Sequence, residues 1–169
     1  PKLVGELALL AEQSGWDGFF VWDSIGGEGP IADPWITLAV VASVTETIRI
    51  GTAVTPVARR RPWKLARETV SVDHLSSGRL TLGVGLGDPP TTEYEQFGED
   101  PDTLTLARKL DEGLDVLTGL WSGEEFSYRG NHHRIDQATF LPKPVQSPRI
   151  PIWVGANWPN KKPLRRASQ

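Results

Sequence analysis

Two short apolar runs constrain this chain most: Arg49-Ile50-Gly51-Thr52-Ala53-Val54-Thr55-Pro56 and Arg79-Leu80-Thr81-Leu82-Gly83-Val84-Gly85-Leu86-Gly87-Asp88. Both are rich in β-formers, end in small or polar residues, and have a helical pattern between them. That is a strand–helix–strand unit of parallel sheet, with both endings at the carboxyl ends of the strands. Ligands bind at those ends in parallel α/β folds, so the pattern shows where a site belongs before it shows what binds.

The rest of the chain repeats the alternation. Leu3, Leu7, Leu10 and Ala11 recur at helical spacing, with Gly15 as a C-cap. Phe19 to Trp22 reads as a buried strand ending at Asp23-Ser24, followed by a glycine-rich loop from Gly26 to Pro30. Asp33-Pro34 supplies an N-cap and a proline at the first helical position, opening a helix to about Val44. Ile48 to Val54 is the next strand, Pro62 to Leu75 a helix stopped by Ser77-Gly78, and Leu80 to Leu86 the third strand. After a long loop, Leu106, Leu110, Leu114 and Leu117 share one face of a helix from about Thr103 to Leu120. Phe126-Ser127-Tyr128 and Arg134-Ile135 suit a small hairpin, Pro142, Pro144 and Pro148 an irregular connection, and Pro151 to Gly155 a fourth strand. Four strands with intervening helices fit either a doubly wound sheet or about half of a β/α barrel, whose eight strands need roughly 250 residues. We expect one domain over residues 1–169.

Composition narrows the function classes. Of 169 residues, 38% are hydrophobic and the net charge is −3, which gives no electrostatic case for nucleic acid or an anionic membrane. No apolar run approaches the ~18–20 residues of a membrane span. The absence of cysteine excludes disulfides, thiolate catalysis and cysteine-ligated metal, and a cytoplasmic location is the default expectation. Pro1 leads directly into a helical pattern, Pro163 to Gln169 opens a helix without a stop signal, and there is no methionine. We therefore expect a fragment of a longer chain; removal of an initiator before Pro1 is the alternative.

Gly83-Val84-Gly85-Leu86-Gly87 invites a dinucleotide-binding reading, which the spacing rejects. The third glycine comes two residues after the second rather than three, and Asp88-Pro89-Pro90 delays the helix on which phosphates would sit. Close packing explains Gly83. Three alternating glycines, each weakening a strand, point instead to space for a flat ligand. His74, near a helix end, reads as structural. His132 and His133 lack a third ligand at metal spacing, so no metal site is expected. Arg59-Arg60-Arg61 reads as a solvated loop rather than a phosphate clamp, and Trp35 and Trp63 border a pocket or lie buried under loops.

Asp23 after a strand, Gly51 to Pro56, Leu75-Ser76-Ser77-Gly78-Arg79-Leu80, Gly83 to Gly87 and Pro151 to Gly155, in that order and spacing, resemble the luciferase-like monooxygenase family. These are β/α barrels that use FMN or a deazaflavin coenzyme. The likeness runs from about Gly15 to Arg166 and implies a partial barrel, about strands two to five. It implies that Thr52, Ala53 and Val54 line the isoalloxazine ring with a non-prolyl cis peptide at Ala53–Val54. It also implies that Gly85 and Gly87 pass close to the cofactor and that Asp23 sits beside the ring. Many relatives carry histidine after this aspartate; Ser24 stands there, which removes a proton donor. Asp88 occupies the place of an acidic proton donor in some deazaflavin-using relatives, or only caps the turn before Pro89. The resemblance thus implies a flavin-dependent monooxygenase of a small organic substrate, served by a flavin reductase and open to homo-oligomer formation. The alternatives are deazaflavin-dependent hydride transfer and a non-catalytic, flavin-binding or structural half barrel. An unrelated sugar- or phosphate-binding domain is a third. FMN phosphate loops frequently follow barrel strands seven and eight, and no substitute is legible here.

Overall fold

In a computed structural model, residues 1–26, 29–87, 90–157, 159 and 161–168 are described. The elements run α1 (Lys2–Gln13), β1 (Gly18–Val21), α2 (Pro34–Val44), β2 (Arg49–Thr52), β3 (Thr55–Pro56), a 3-10 turn (Val57–Arg59) and α3 (Pro62–Leu75). They continue with β4 (Leu80–Gly85), α4 (Pro90–Glu93), a second 3-10 turn (Glu95–Phe97), α5 (Thr103–Trp121), β5 (Phe126–Arg129), β6 (Arg134–Ala138), β7 (Ile152–Val154) and α6 (Lys161–Ala167). The helix starts follow their caps: the Asp33 carboxylate accepts from the Trp35 and Ile36 N–H groups, both at 2.9 Å. Asp102 accepts from Thr105 N–H at 2.8 Å.

All pairings in the main sheet are parallel. β1 pairs with β2 (Phe20 opposite Gly51), β2 with β4 (Gly51 opposite Thr81), and β4 with β7 (Gly83 opposite Trp153). The four expected strands therefore lie side by side in chain order, as in a barrel wall and unlike a doubly wound sheet. The expected strand from Ile48 to Val54 is broken: β3 resumes the pairing with β4 after the Ala53–Val54 peptide, which is cis. β5 and β6 form the antiparallel hairpin.

Side-chain alternation gives the sheet two unlike faces. Phe19, Ile50, Leu80, Leu82, Val84 and Ile152 point outward into the core, against Leu38, Val41, Leu65, Val70 and Leu117 of the helices. The opposite face carries Phe20, Gly51, Thr81, Gly83 and Trp153. The rings of Phe20 and Trp153 stack with centroids 5.0 Å apart. Three strand spacings would hold them about 14 Å apart in a flat sheet, so the sheet curls inward. Gly51 leaves room on this face for the Phe20 ring: a Cβ there would lie 2.1 Å from the Thr81 carbonyl oxygen and 2.8 Å from that ring.

Hydrogen-bonding side chains lock the amino end of the wall. Arg79 donates to the carbonyls of Ala42, Thr45, Ile48 and Ser76 and to the Thr45 hydroxyl. Asp73, fully buried, accepts from Val145 N–H and Gln146 N–H and from the Gln146 amide, fixing the proline-rich connection. His74 contacts the Lys143 carbonyl oxygen at 2.8 Å, a structural role.

The helix expected from Leu3, Leu7, Leu10 and Ala11 is present, but its three leucines are exposed, while Gly5 and Ala8 are buried and Val4 and Ala11 pack against the core. Small residues let α1 and α2 approach closely; a Cβ on Gly5 would meet Val40 Cγ1 at 2.8 Å.

Candidate functional site

The carboxyl ends of β1, β2/β3, β4 and β7 converge on Asp23, Ala53–Val54, Leu86–Gly87 and Gly155. Thr52 and Thr55 are buried, and their hydroxyls are satisfied within the wall. Thr52 Oγ1 donates to Gly83 O and Thr55 Oγ1 to Thr52 Oγ1, each at 3.0 Å. Between these buried neighbours Ala53 is exposed and Val54 half-buried. Ala53 points to the same side of the sheet as Phe20 and Trp153, so the strand end forms a small apolar shelf on the concave face.

The glycines of β4 have a different use from the one expected of a row of missing side chains. A Cβ on Gly83 would fall 2.0 Å from the Thr52 carbonyl oxygen. One on Gly85 would fall 2.6 Å from Val54 Cγ2, and one on Gly155 3.3 Å from Val54 Cγ1. Gly87 has φ +85° and its missing side chain faces Pro56 and Glu93. The space over Gly83 and Gly85 is thus filled by protein, which seats Val54 against the wall. The open surface lies at Ala53.

Asp23 is deeply buried. Its Oδ1 accepts from Arg59 Nη2 at 2.8 Å and Arg60 Nη2 at 2.7 Å, and its Oδ2 from Arg60 Nε at 3.0 Å. Arg59 also donates through Nη2 to the Asp23 carbonyl oxygen and through Nε to Glu93 Oε2 at 2.8 Å. The side chains of Asp23, Arg59 and Glu93 are 1%, 3% and 2% exposed. Arg59 and Arg60 therefore form neither the solvated loop expected from the sequence nor a phosphate clamp. They are held in a compensated cluster, as buried charges must be. Next to it Tyr94, fully buried, donates its hydroxyl to Leu86 O at 2.7 Å, and burial pushes that phenol above its ordinary range. Sequence reasoning missed this network. Its signal was an arginine run just past one strand end, matched by an acidic residue just past β1 and another at the end of α4.

The remaining candidates separate from this face. Asp88 lies outside the described residues. The backbone N–H groups of Asn131, His132 and His133 donate to the Glu112 carboxylate, tying the hairpin to α5. The His133 ring meets Trp63 edge-on at 6.3 Å. Trp35 is buried beneath Arg60, and Trp63 is partly exposed. Among the described residues no group of three His, Asp or Glu is arranged to hold a metal ion, and no helix is long and apolar enough to cross a membrane. A cavity of about 710 Å³ lies between β7, α5 and α6, lined by Asp111, Asp115, Arg149, Val154 and Arg166 among others.

Parallel strands side by side in chain order are the fold that the sequence motifs imply, and comparison with known proteins agrees on that fold. Residues 1–164 match the luciferase-like monooxygenase family. The chain belongs to that family. It is 31% identical over 166 residues to an F420-dependent glucose-6-phosphate dehydrogenase of Nakamurella multipartita, covering 94% of this chain and 48% of that protein. It is 30% identical over 156 residues to the oxygenase component of a flavin-dependent trigonelline monooxygenase of Acinetobacter baylyi, covering 92% and 43%. The crystal structure of a monooxygenase from Streptomyces bottropensis superposes with a TM-score of 0.79 at 31% identity, covering 89% of this chain and 46% of that one. The chain thus spans about half the length of the curated relatives it matches, and its fold is a partial β/α barrel.

Proposed function

We propose that this chain supplies one wall of the flavin site of an oxidoreductase, a monooxygenase in which reduced FMN and molecular oxygen oxidise a small organic substrate. The observation that carries the reading is the exposed Ala53–Val54 shelf, small and apolar, at the only end of a parallel wall where such folds bind ligands. Its residues fit a flat ring: Ala53 adds little bulk, and Val54 is held in place by Gly85 and Gly155. Bound there, the flavin supplies the redox chemistry, and the protein holds, orients and shields it. Ala53 and Val54 would contact the ring, with Thr52 fixing their backbone through Gly83. Gly85 and Gly87 would act from beneath, through Val54 and Pro56. Asp23 would act through Arg59 and Arg60 rather than by touching the ring. Asp88 as proton donor rests on the resemblance alone. We propose further that residues 1–169 act as a single domain in the cytoplasm, with a separate flavin reductase as partner and with homo-oligomers open to it.

Deazaflavin-dependent hydride transfer is the second reading, favoured by the likeness to the F420-dependent dehydrogenase across 94% of this chain. Fluorescence titration of FMN and of the deazaflavin, using the protein expressed from the extended reading frame, separates the two by affinity. Ala53→Phe fills the shelf and is expected to weaken the preferred cofactor by about tenfold or more, close to 1.4 kcal/mol. Unchanged affinity in Ala53→Phe would remove the shelf from the site.

A further inference from the structure

Arg59 reaches both neighbouring loops at the carboxyl face. It ends the 3-10 turn after β3. One edge of its guanidinium holds the loop after β1, through the Asp23 carboxylate and backbone carbonyl. Its Nε holds α4, after β4, through Glu93. Tyr94, the next residue, pins the same segment to the Leu86 carbonyl. A planar fork with donors on two edges satisfies two carboxylates at once in a way a single ammonium does not. Replacing such a cluster by apolar side chains is often neutral or stabilising, so its burial is poorly explained by stability alone. The shelf at Ala53–Val54 lies only a few residues upstream of Arg59, just before β3.

We propose that Arg59 is a positioning residue, which fixes the loops after β1 and β4 around the ring shelf and thereby sets cofactor affinity. The affinity part of this rests on the flavin reading above; the loop part does not. Arg59→Met alone would leave Glu93 buried and unpaired and unfold the region for a trivial reason. The informative variant is Arg59→Met combined with Glu93→Gln, which removes one charge of each sign and leaves Asp23 paired with Arg60. Arg59→Lys is its companion, keeping the charge without the fork.

Hydrogen–deuterium exchange on the 169-residue chain reads the loops, and FMN and deazaflavin titration of the protein from the extended reading frame reads the site. In the double variant we expect the melting temperature to stay close to that of the parent. Amides of residues 22–26 and 91–97 should exchange about tenfold faster, and cofactor affinity should fall about tenfold. Arg59→Lys should restore neither. A double variant with parental exchange and parental affinity would overturn the proposal and leave Arg59 a structural ion pair. If the parent binds neither cofactor, the flavin reading falls, while exchange still decides whether Arg59 fixes the loops.

Discussion

At the scale of single residues, Gly83 is the tightest point of the wall. A methyl group there would sit 2.0 Å from the Thr52 carbonyl oxygen, which is backbone of the central strand. At Gly85 the obstacle is the Val54 side chain, which is able to turn aside. Gly83→Ala is therefore expected to destabilise the chain by about 3 kcal/mol or more, and Gly85→Ala by about 1–2 kcal/mol, as measured by urea unfolding. Equal costs would show that the neighbouring strand yields as easily as a valine. Both glycines stood out in the sequence, but what fills the space above them did not. The same limit hid Arg59. Composition shows three adjacent charges, whereas their partners, Asp23 and Glu93, lie 36 and 34 residues away in the chain.

At the scale of elements, the end of α1 is fastened to the start of β2 by one carboxylate. Glu12 accepts from the backbone N–H groups of Glu46, Thr47 and Ile48 and from the Thr47 hydroxyl. These bonds, led by that of Ile48, hold its pKa at about 2 against an ordinary value of 4.5. A depressed carboxylate pKa contributes stability that is complete above the unfolded-state value and is lost as pH falls through the folded one. Stability should therefore drop between about pH 4.5 and 2, and Glu12→Gln should flatten that limb of the urea-midpoint profile. A profile unchanged by the substitution would assign the acid limb to other groups. On the hairpin, burial alone would raise the Glu112 carboxyl, but the His132, Asn131 and His133 N–H groups outweigh it and hold it below its ordinary value. Glu112→Ala should speed amide exchange at residues 131–133 while β2 and β4 stay protected; protection unchanged at 131–133 would show that Trp63 and α5 packing suffice. Strand and helix periodicity made nearly every one of these elements legible in the sequence, whereas the order of the four parallel strands followed only once the barrel resemblance was added. What periodicity does not carry is which surface covers an apolar stripe. Leu3, Leu7 and Leu10 announce a helix face, yet Gly5 and Ala8 make its contact with α2.

At the scale of the whole molecule, the wall has a finished outer face and an open inner one. Trp22 and Trp153 are 80% and 55% exposed on the concave side. Among the described residues, β1 and β7 each pair on one edge only. Exposed aromatics beside free strand edges favour association, and the ring shelf lies at the rim of the same face. On the flavin reading, this chain holds the ring side of the site, and no phosphate anchor is evident among the described residues, where Arg59 and Arg60 are occupied by Asp23 and Glu93. Charge-assisted contacts to an anion contribute roughly 1.5–3 kcal/mol each, so the loss of several weakens binding by orders of magnitude. The most direct test is an FMN titration of the purified 169-residue chain beside the protein from the extended reading frame, with the oligomeric state of both measured by light scattering. Weak or undetectable binding and concentration-dependent association are expected of the chain alone, and tight binding of a longer protein that includes it. Tight, stoichiometric FMN binding by a monomer of the 169-residue chain would contradict it.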